Sequence, residues 1–196
     1  MQEYFHLPEM LNFIDVPNRT ACQRILKENE NLFKTVQGST NNHQNWPGGY
    51  WDHVREIMNI AIVLYQTTNP LRTLQFSLSD VLLVLFLHDL EKPWKYEAGP
   101  YGQLRHRKDL DTPEKEHQFK IRWMGYYGIV LTDEQKNAMR YVHGELNDYS
   151  SRKRVMGPLA AFCHNCDVFS ARIWFDFPKE GFDDSWWPAQ RVRSTE

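Results

Sequence analysis

Leu82-Leu83-Val84-Leu85-Phe86-Leu87-His88-Asp89-Leu90-Glu91-Lys92-Pro93 is the stretch on which the reading of this chain turns. Six consecutive apolar residues leave no polar face, so the segment is expected to be a helix buried on all sides. Two metal-capable side chains then stand next to each other at its end, followed by a lysine and a helix-stopping proline. A buried carboxylate without a partner is strongly disfavoured; it neutralises, pairs or takes a metal. Asp89 is therefore expected at the heart of a metal centre.

Upstream, Tyr50 to about Gln66 has helical periodicity, with apolar residues at three- and four-residue steps and His53 on the first turn. Ser77 or Ser79 can cap the central helix, and Asp80 suits its first turn. Before His53 lies a loop rich in Gly and Asn, residues 38–49, which could wall a pocket. Asn18 could cap a helix from about Arg19 to Phe33, and residues 1–17 read as an arm or a short helix.

Downstream, Trp94 to Asp111 reads as a long irregular loop carrying Arg105, His106, Arg107 and Lys108. Thr112-Pro113 opens a helix running to about Tyr127, with His117 early in it. Thr132 to Gln135 is a capping box, and the helix it opens ends near His143-Gly144. Gly157-Pro158 opens the last clear helix, in which Asp167 sits among apolar residues. A Trp-rich tail, 175–196, is expected to pack back on the body and to fray at its end. Strand signals are few. The expectation is all-α: one compact helical bundle of about six to eight helices spanning 1–196. Residues 50–172 bear the motifs, and 1–37 form an N-terminal helical arm.

The 196 residues, 41% hydrophobic and 24% charged, have a globular balance. A net charge of -2 argues against a strongly basic nucleic-acid-binding module. No apolar run approaches the roughly 20 residues of a membrane span. With no secretion signal in view and an odd cysteine count, a reducing cytoplasm is the expected home. Cys163-His164-Asn165-Cys166 could hold zinc or run redox chemistry, but two packed thiols on a helix is the favoured reading. His164, one turn before Asp167, could ligate or could hydrogen-bond the carboxylate.

His88-Asp89-Leu90-Glu91-Lys92-Pro93 resembles the His-Asp-Ile-Gly-Lys-Pro motif of the HD superfamily of metal-dependent phosphohydrolases. Tyr50-Trp51-Asp52-His53-Val54 resembles that family's first His, and Asn165-Cys166-Asp167-Val168-Phe169-Ser170-Ala171 its closing Asp. Glu116-His117-Gln118 and Val142-His143-Gly144-Glu145 are similar to its intermediate and last His elements. Glu91 stands where many members carry Gly and adds a carboxylate. The resemblance implies an HD-type helical domain and metal ligands His53, His88, Asp89, Asp167, His117 and His143. It implies one or two divalent ions, with Mn, Fe, Co, Ni, Mg and Zn all suited to such ligands. It also implies a phosphate ester as substrate, most naturally a nucleotide, cleaved by attack of a metal-activated hydroxide on phosphorus.

Asp89, Glu91 and Lys92 would then be the catalytic residues. Arg105, Arg107, Lys108 and Trp94 would contact substrate through charge and stacking. Trp46 and Trp51 are further candidates for stacking a base. Two other readings compete: a non-catalytic metal- or nucleotide-binding regulatory domain, and a metal-dependent nuclease. A nucleic-acid partner is less favoured than a small phosphate ester, and nothing in the sequence speaks to the oligomeric state.

Overall fold

The computed structural model describes residues 4–39, 42–98 and 104–176. The architecture is all-helical, with one small two-stranded sheet among the described residues. The helices are α1 (Leu7–Met10), α2 (Asn18–Phe33), α3 (Gly49–Thr68), α4 (Leu78–Leu87), α5 (Lys92–Lys95), α6 (Pro113–Tyr127), α7 (Asp133–Tyr141) and α8 (Pro158–Val168). The strands β1 (Tyr96–Ala98) and β2 (Leu104–His106) pair antiparallel, with Glu97 opposite Arg105.

Helix α4 is the axle. Every residue from Val81 to Leu90 is buried, and the helix packs against α2, α3, α7 and α8. Only a helix covered on all sides can carry an uninterrupted apolar run without exposing it. Its start is held by a reciprocal cap: Ser77 Oγ accepts from Asp80 N at 3.1 Å and Asp80 Oδ2 accepts from Ser77 N at 2.8 Å. The same device at Thr132 and Gln135 opens α7, and Thr112 Oγ1 caps α6.

Several expectations need correction. Of the two readings of residues 1–17 the short helix holds, as α1, and the segment is not a free arm: Leu7, Met10, Leu11 and Ile14 are fully buried in the core. Asn18 does not cap α2. Its side chain donates to Val130 O at 2.8 Å and accepts from Val130 N at 2.9 Å, bolting α2 to the loop before α7. Pro93 does not simply stop the chain. It sits in the first turn of α5, where its missing N–H costs nothing. The stretch after it is partly the β1–β2 hairpin, whose three-residue strands are too short to show alternation in sequence. Of the tail, residues 177–196, with Trp186 and Trp187, lie outside the described residues. No described helix is long and apolar enough to cross a membrane.

Candidate metal centre

The end of α4 is built to present His88 and Asp89 inward. His88 occupies the C-cap, where helical carbonyls have lost their partners. Its Nδ1 lies 2.7 Å from Leu85 O. A carbonyl only accepts, so Nδ1 carries a proton, and in the neutral ring Nε2 is the lone pair available to a metal. Lys120 of α6 donates to His88 O at 2.9 Å, satisfying a second terminal carbonyl with a cation that suits the helix dipole.

His53 comes from the start of α3. The loop before it is folded tightly: Gly38 N donates to Gln44 O at 2.9 Å, and Gln44 N donates to Phe175 O at 2.7 Å. Gly48 has φ +84°, and a Cβ on Gly49 would collide with the Gln44 carbonyl, so both positions require glycine. Gln44 itself is buried with φ 40°. Asp167 comes from the last turn of α8, which continues as a π-helical turn, Phe169–Ile173.

These four side chains converge. His88 Nε2 lies 3.0 Å from Asp89 Oδ2 and 3.8 Å from Asp167 Oδ1. His53 Nε2 lies 3.2 Å from Asp167 Oδ1 and 3.8 Å from Asp89 Oδ2. Donors bound to one cation at about 2.0–2.1 Å stand about 3.0–3.5 Å from each other; His53, His88 and Asp167 lie close enough together to share one ion, and Asp89 belongs with His88 and His143 to an overlapping group. All four residues are buried. His53 Nε2, His88 Nε2 and both Asp89 oxygens find no hydrogen-bond partner, although Lys92 Nζ makes an ion pair with Asp89 Oδ2 at 2.6 Å. Lys92 answers one Asp89 oxygen; buried polar atoms that lack such a partner are costly, and a shared divalent cation would remove that cost. The residues present therefore fit such a metal, and all are oxygen or imidazole donors.

Without a metal the cluster behaves as coupled imidazole–carboxylate pairs. Burial opposes the charge of Asp89, but His88 and Lys92 outweigh it and hold the carboxyl well below the usual carboxylate range. Burial opposes the charge of Asp167 too, but in the metal-free protein a hydrogen bond with His53 and the charge of His88 outweigh it and hold the carboxyl low. Burial lowers His53, with Asp167 pulling the other way, and the net direction is down. Burial also opposes charge on His88, but Asp89 beside it more than offsets this, and the net direction is up. Lys92 is raised because Asp89 outweighs its burial.

His143, just past α7, stands half-exposed at the lip, with Nε2 3.3 Å from Asp89 Oδ1. With His88 and Asp89 it forms a second, overlapping group of metal-capable atoms. His164 neither ligates nor bonds Asp167 in this arrangement. It donates from Nδ1 to Val142 O at 2.7 Å, steadying the turn that carries His143 and the left-handed Gly144.

Other expected site residues lie elsewhere. His117 is exposed and belongs to neither group. The face of α6 that packs inward is Phe119, Trp123 and Tyr127, and position 117 is about 200° around from 119. Lys120, not His117, is what α6 sends to the site. Glu91, expected among the catalytic residues, is buried and faces Lys120 at 3.4 Å. Arg105 pairs across the hairpin with Glu97 at 2.8 Å, and Arg107 pairs with Asp109 at 2.7 Å. With Lys108 they line an open groove of about 690 Å³ beside Trp94 and Tyr96 that includes none of the four converging residues. Trp94 packs on Phe33, Phe119 and Trp123. Trp46 donates to Asp52 Oδ2 at 3.0 Å, and Trp51 lies under Lys34. Cys163 and Cys166 are buried free thiols outside both groups.

Sequence reasoning passed over His43, Gln44, Glu56 and Ser170. The His43 ring lies 5.0 Å from that of His53, and its Nε2 is 3.5 Å from Lys92 Nζ. Burial first, then the Lys92 charge, lowers His43 to about 3 and keeps it neutral. Only the loop's tertiary path brings it there. Glu56 had a readable signal: a carboxylate one turn after His53, inside an apolar helix. Comparison of the chain with protein-family models, with curated proteins and with solved structures returns no match.

Proposed function

We propose that this chain is a metal-dependent phosphohydrolase of HD type, acting on a phosphate ester. One observation carries the reading: buried imidazoles and carboxylates from α3, the end of α4 and α8 form two overlapping groups of metal-capable atoms, His53, His88 and Asp167 in one and His88, Asp89 and His143 in the other. His53, His88, Asp89 and Asp167 would hold a divalent cation. Such an ion, when bound, supplies a Lewis acid for the phosphoryl oxygens and a water acidic enough to attack phosphorus near neutral pH. The protein's own groups complete the site. Two carboxylates and one Lys92 ammonium leave the cluster one charge negative, so a divalent ion would turn it positive and suit an anionic ester. Lys92, within reach of Asp89, would face a phosphoryl oxygen. His143 is at the solvent edge, where substrate would enter. The choice of a nucleotide as the ester comes from the resemblance.

The test is a titration of purified protein with Mn²⁺, followed by a screen of nucleoside mono-, di- and triphosphates and cyclic nucleotides. Stoichiometric binding and metal-dependent turnover, both lost in His88→Ala, are expected. Absence of metal binding would sink the reading. Binding without turnover on any ester would leave the non-catalytic regulatory domain in its place.

A further inference from the structure

We propose that Glu56 and Ser170 are positioning residues that set the metal affinity of His53 by fixing which of its nitrogens is bare. The inference rests on the metal reading above and extends it to residues that would touch no metal. It starts at Trp174, whose backbone carbonyl can only accept. Gln44 Nε2 lies 3.2 Å from that oxygen, which orients the Gln44 amide. The same nitrogen also faces Ser170 Oγ at 3.1 Å and Glu56 Oε2 at 3.3 Å, which share its second hydrogen. Ser170 has one proton, and it goes to Glu56 Oε2 at 2.8 Å. What Ser170 offers His53 Nδ1, 3.3 Å away, is therefore a lone pair.

His53 must then carry its proton on Nδ1. Its Nε2 is bare and aimed at Asp167 Oδ1 and Asp89 Oδ2. The opposite tautomer would send an N–H into Asp167 and close that edge of the cluster to a cation. Metal-ligating histidines are commonly held this way, their second nitrogen donating to a carboxylate or carbonyl. Here the carboxylate acts through a serine, and the π-helical turn after Asp167 puts Ser170 where it can relay. Gln44, Glu56 and Ser170 are all buried, so no water competes for these bonds.

The experiment has two arms. Two-bond ¹H–¹⁵N spectra of the metal-free wild type, at about pH 8 where an ordinary imidazole is neutral, report the His53 tautomer directly. Calorimetric titration with Mn²⁺ compares wild type with Ser170→Ala, and a melt in chelator checks that the variant is folded. We expect the proton on Nδ1 in wild type, and a loss of about 10–100-fold in Mn²⁺ affinity in the folded variant. A proton on Nε2 in wild type overturns the proposal, as does a Ser170→Ala variant that binds Mn²⁺ as tightly as wild type. Should the variant not fold, the wild-type spectrum alone decides. A wild type with the Nδ1 proton but no affinity for Mn²⁺ supports the relay while removing the metal reading, so the two failures are distinct.

Discussion

At the scale of single residues, the cluster trades stability for binding. Asp167 Oδ1 faces His53 Nε2 at 3.2 Å, and in the proposed tautomer no proton lies between them. Asp167→Asn would remove one of two close negative charges and put an amide donor where His53 needs one. In chelator the variant is expected to melt no lower than wild type, with a gain of up to about 1–2 kcal/mol. Its melting temperature should not respond to Mn²⁺. A variant clearly less stable than the metal-free wild type would mean that the Asp167 charge is needed structurally.

Acid should act through the same atoms. A cation requires His53 and His88 neutral, so protons compete with it. Burial works against a charged His88, but Asp89 more than offsets it, so its folded value lies above the ordinary imidazole value of about 6.5. Competition therefore begins above that pH and strengthens as pH falls. Mn²⁺ affinity should drop by about tenfold per unit for each proton displaced. Calorimetry across the neutral-to-acid range checks this, and a flat profile would remove imidazole from the ligand set.

At the scale of elements, the two ends of α4 do different jobs. The Ser77–Asp80 cap stabilises the helix far from the cluster. Ser77→Ala should cost about 1 kcal/mol, or about 2–4 °C of melting temperature, and leave Mn²⁺ affinity unchanged. Loss of metal binding in that variant would show that the helix end moves with its start. Helix α8 carries Cys163 and Cys166 into the core beside α4, and α2 carries Cys22. Burial pushes Cys22 up to about 12 and holds Cys163 well above its ordinary value, with burial again the leading cause for Cys166. Thiolates are the reactive form, so a disulfide-type thiol reagent at about pH 8 should label none of the three until the chain unfolds. Fast labelling of Cys163 or Cys166 in the native protein would revive a redox role for the pair.

At the scale of the whole molecule, the ligands come from three helices and from opposite ends of the chain's fold. A cation bound among them would tie α3, α4 and α8 together. Binding to the folded state alone stabilises by about 2.7 kcal/mol at a free metal concentration about 100 times Kd. For a chain of this size that is about 5–10 °C. Thermal melts with Mn²⁺ and with chelator should differ by that much. Equal melting temperatures at saturating metal would be incompatible with a site shared by three elements.

Sequence alone determined the helical class and the identity of α4, because the apolar run lies between a helix-capping serine and a proline in a chain with few strand signals. It also singled out Asp89 and Asp167, because the cost of burying a carboxylate depends on the apolar residues around it, which are visible in one dimension. Tertiary structure decided the rest. Whether His117 or Lys120 reaches the site depends on which stripe of α6 packs inward. Whether Arg105 meets substrate or Glu97 depends on a hairpin register. His43, Gln44 and Ser170 come to His53 through a tight loop and a π-helical turn, neither of which leaves a periodic trace. Periodicity records which face is covered; it cannot record what covers it.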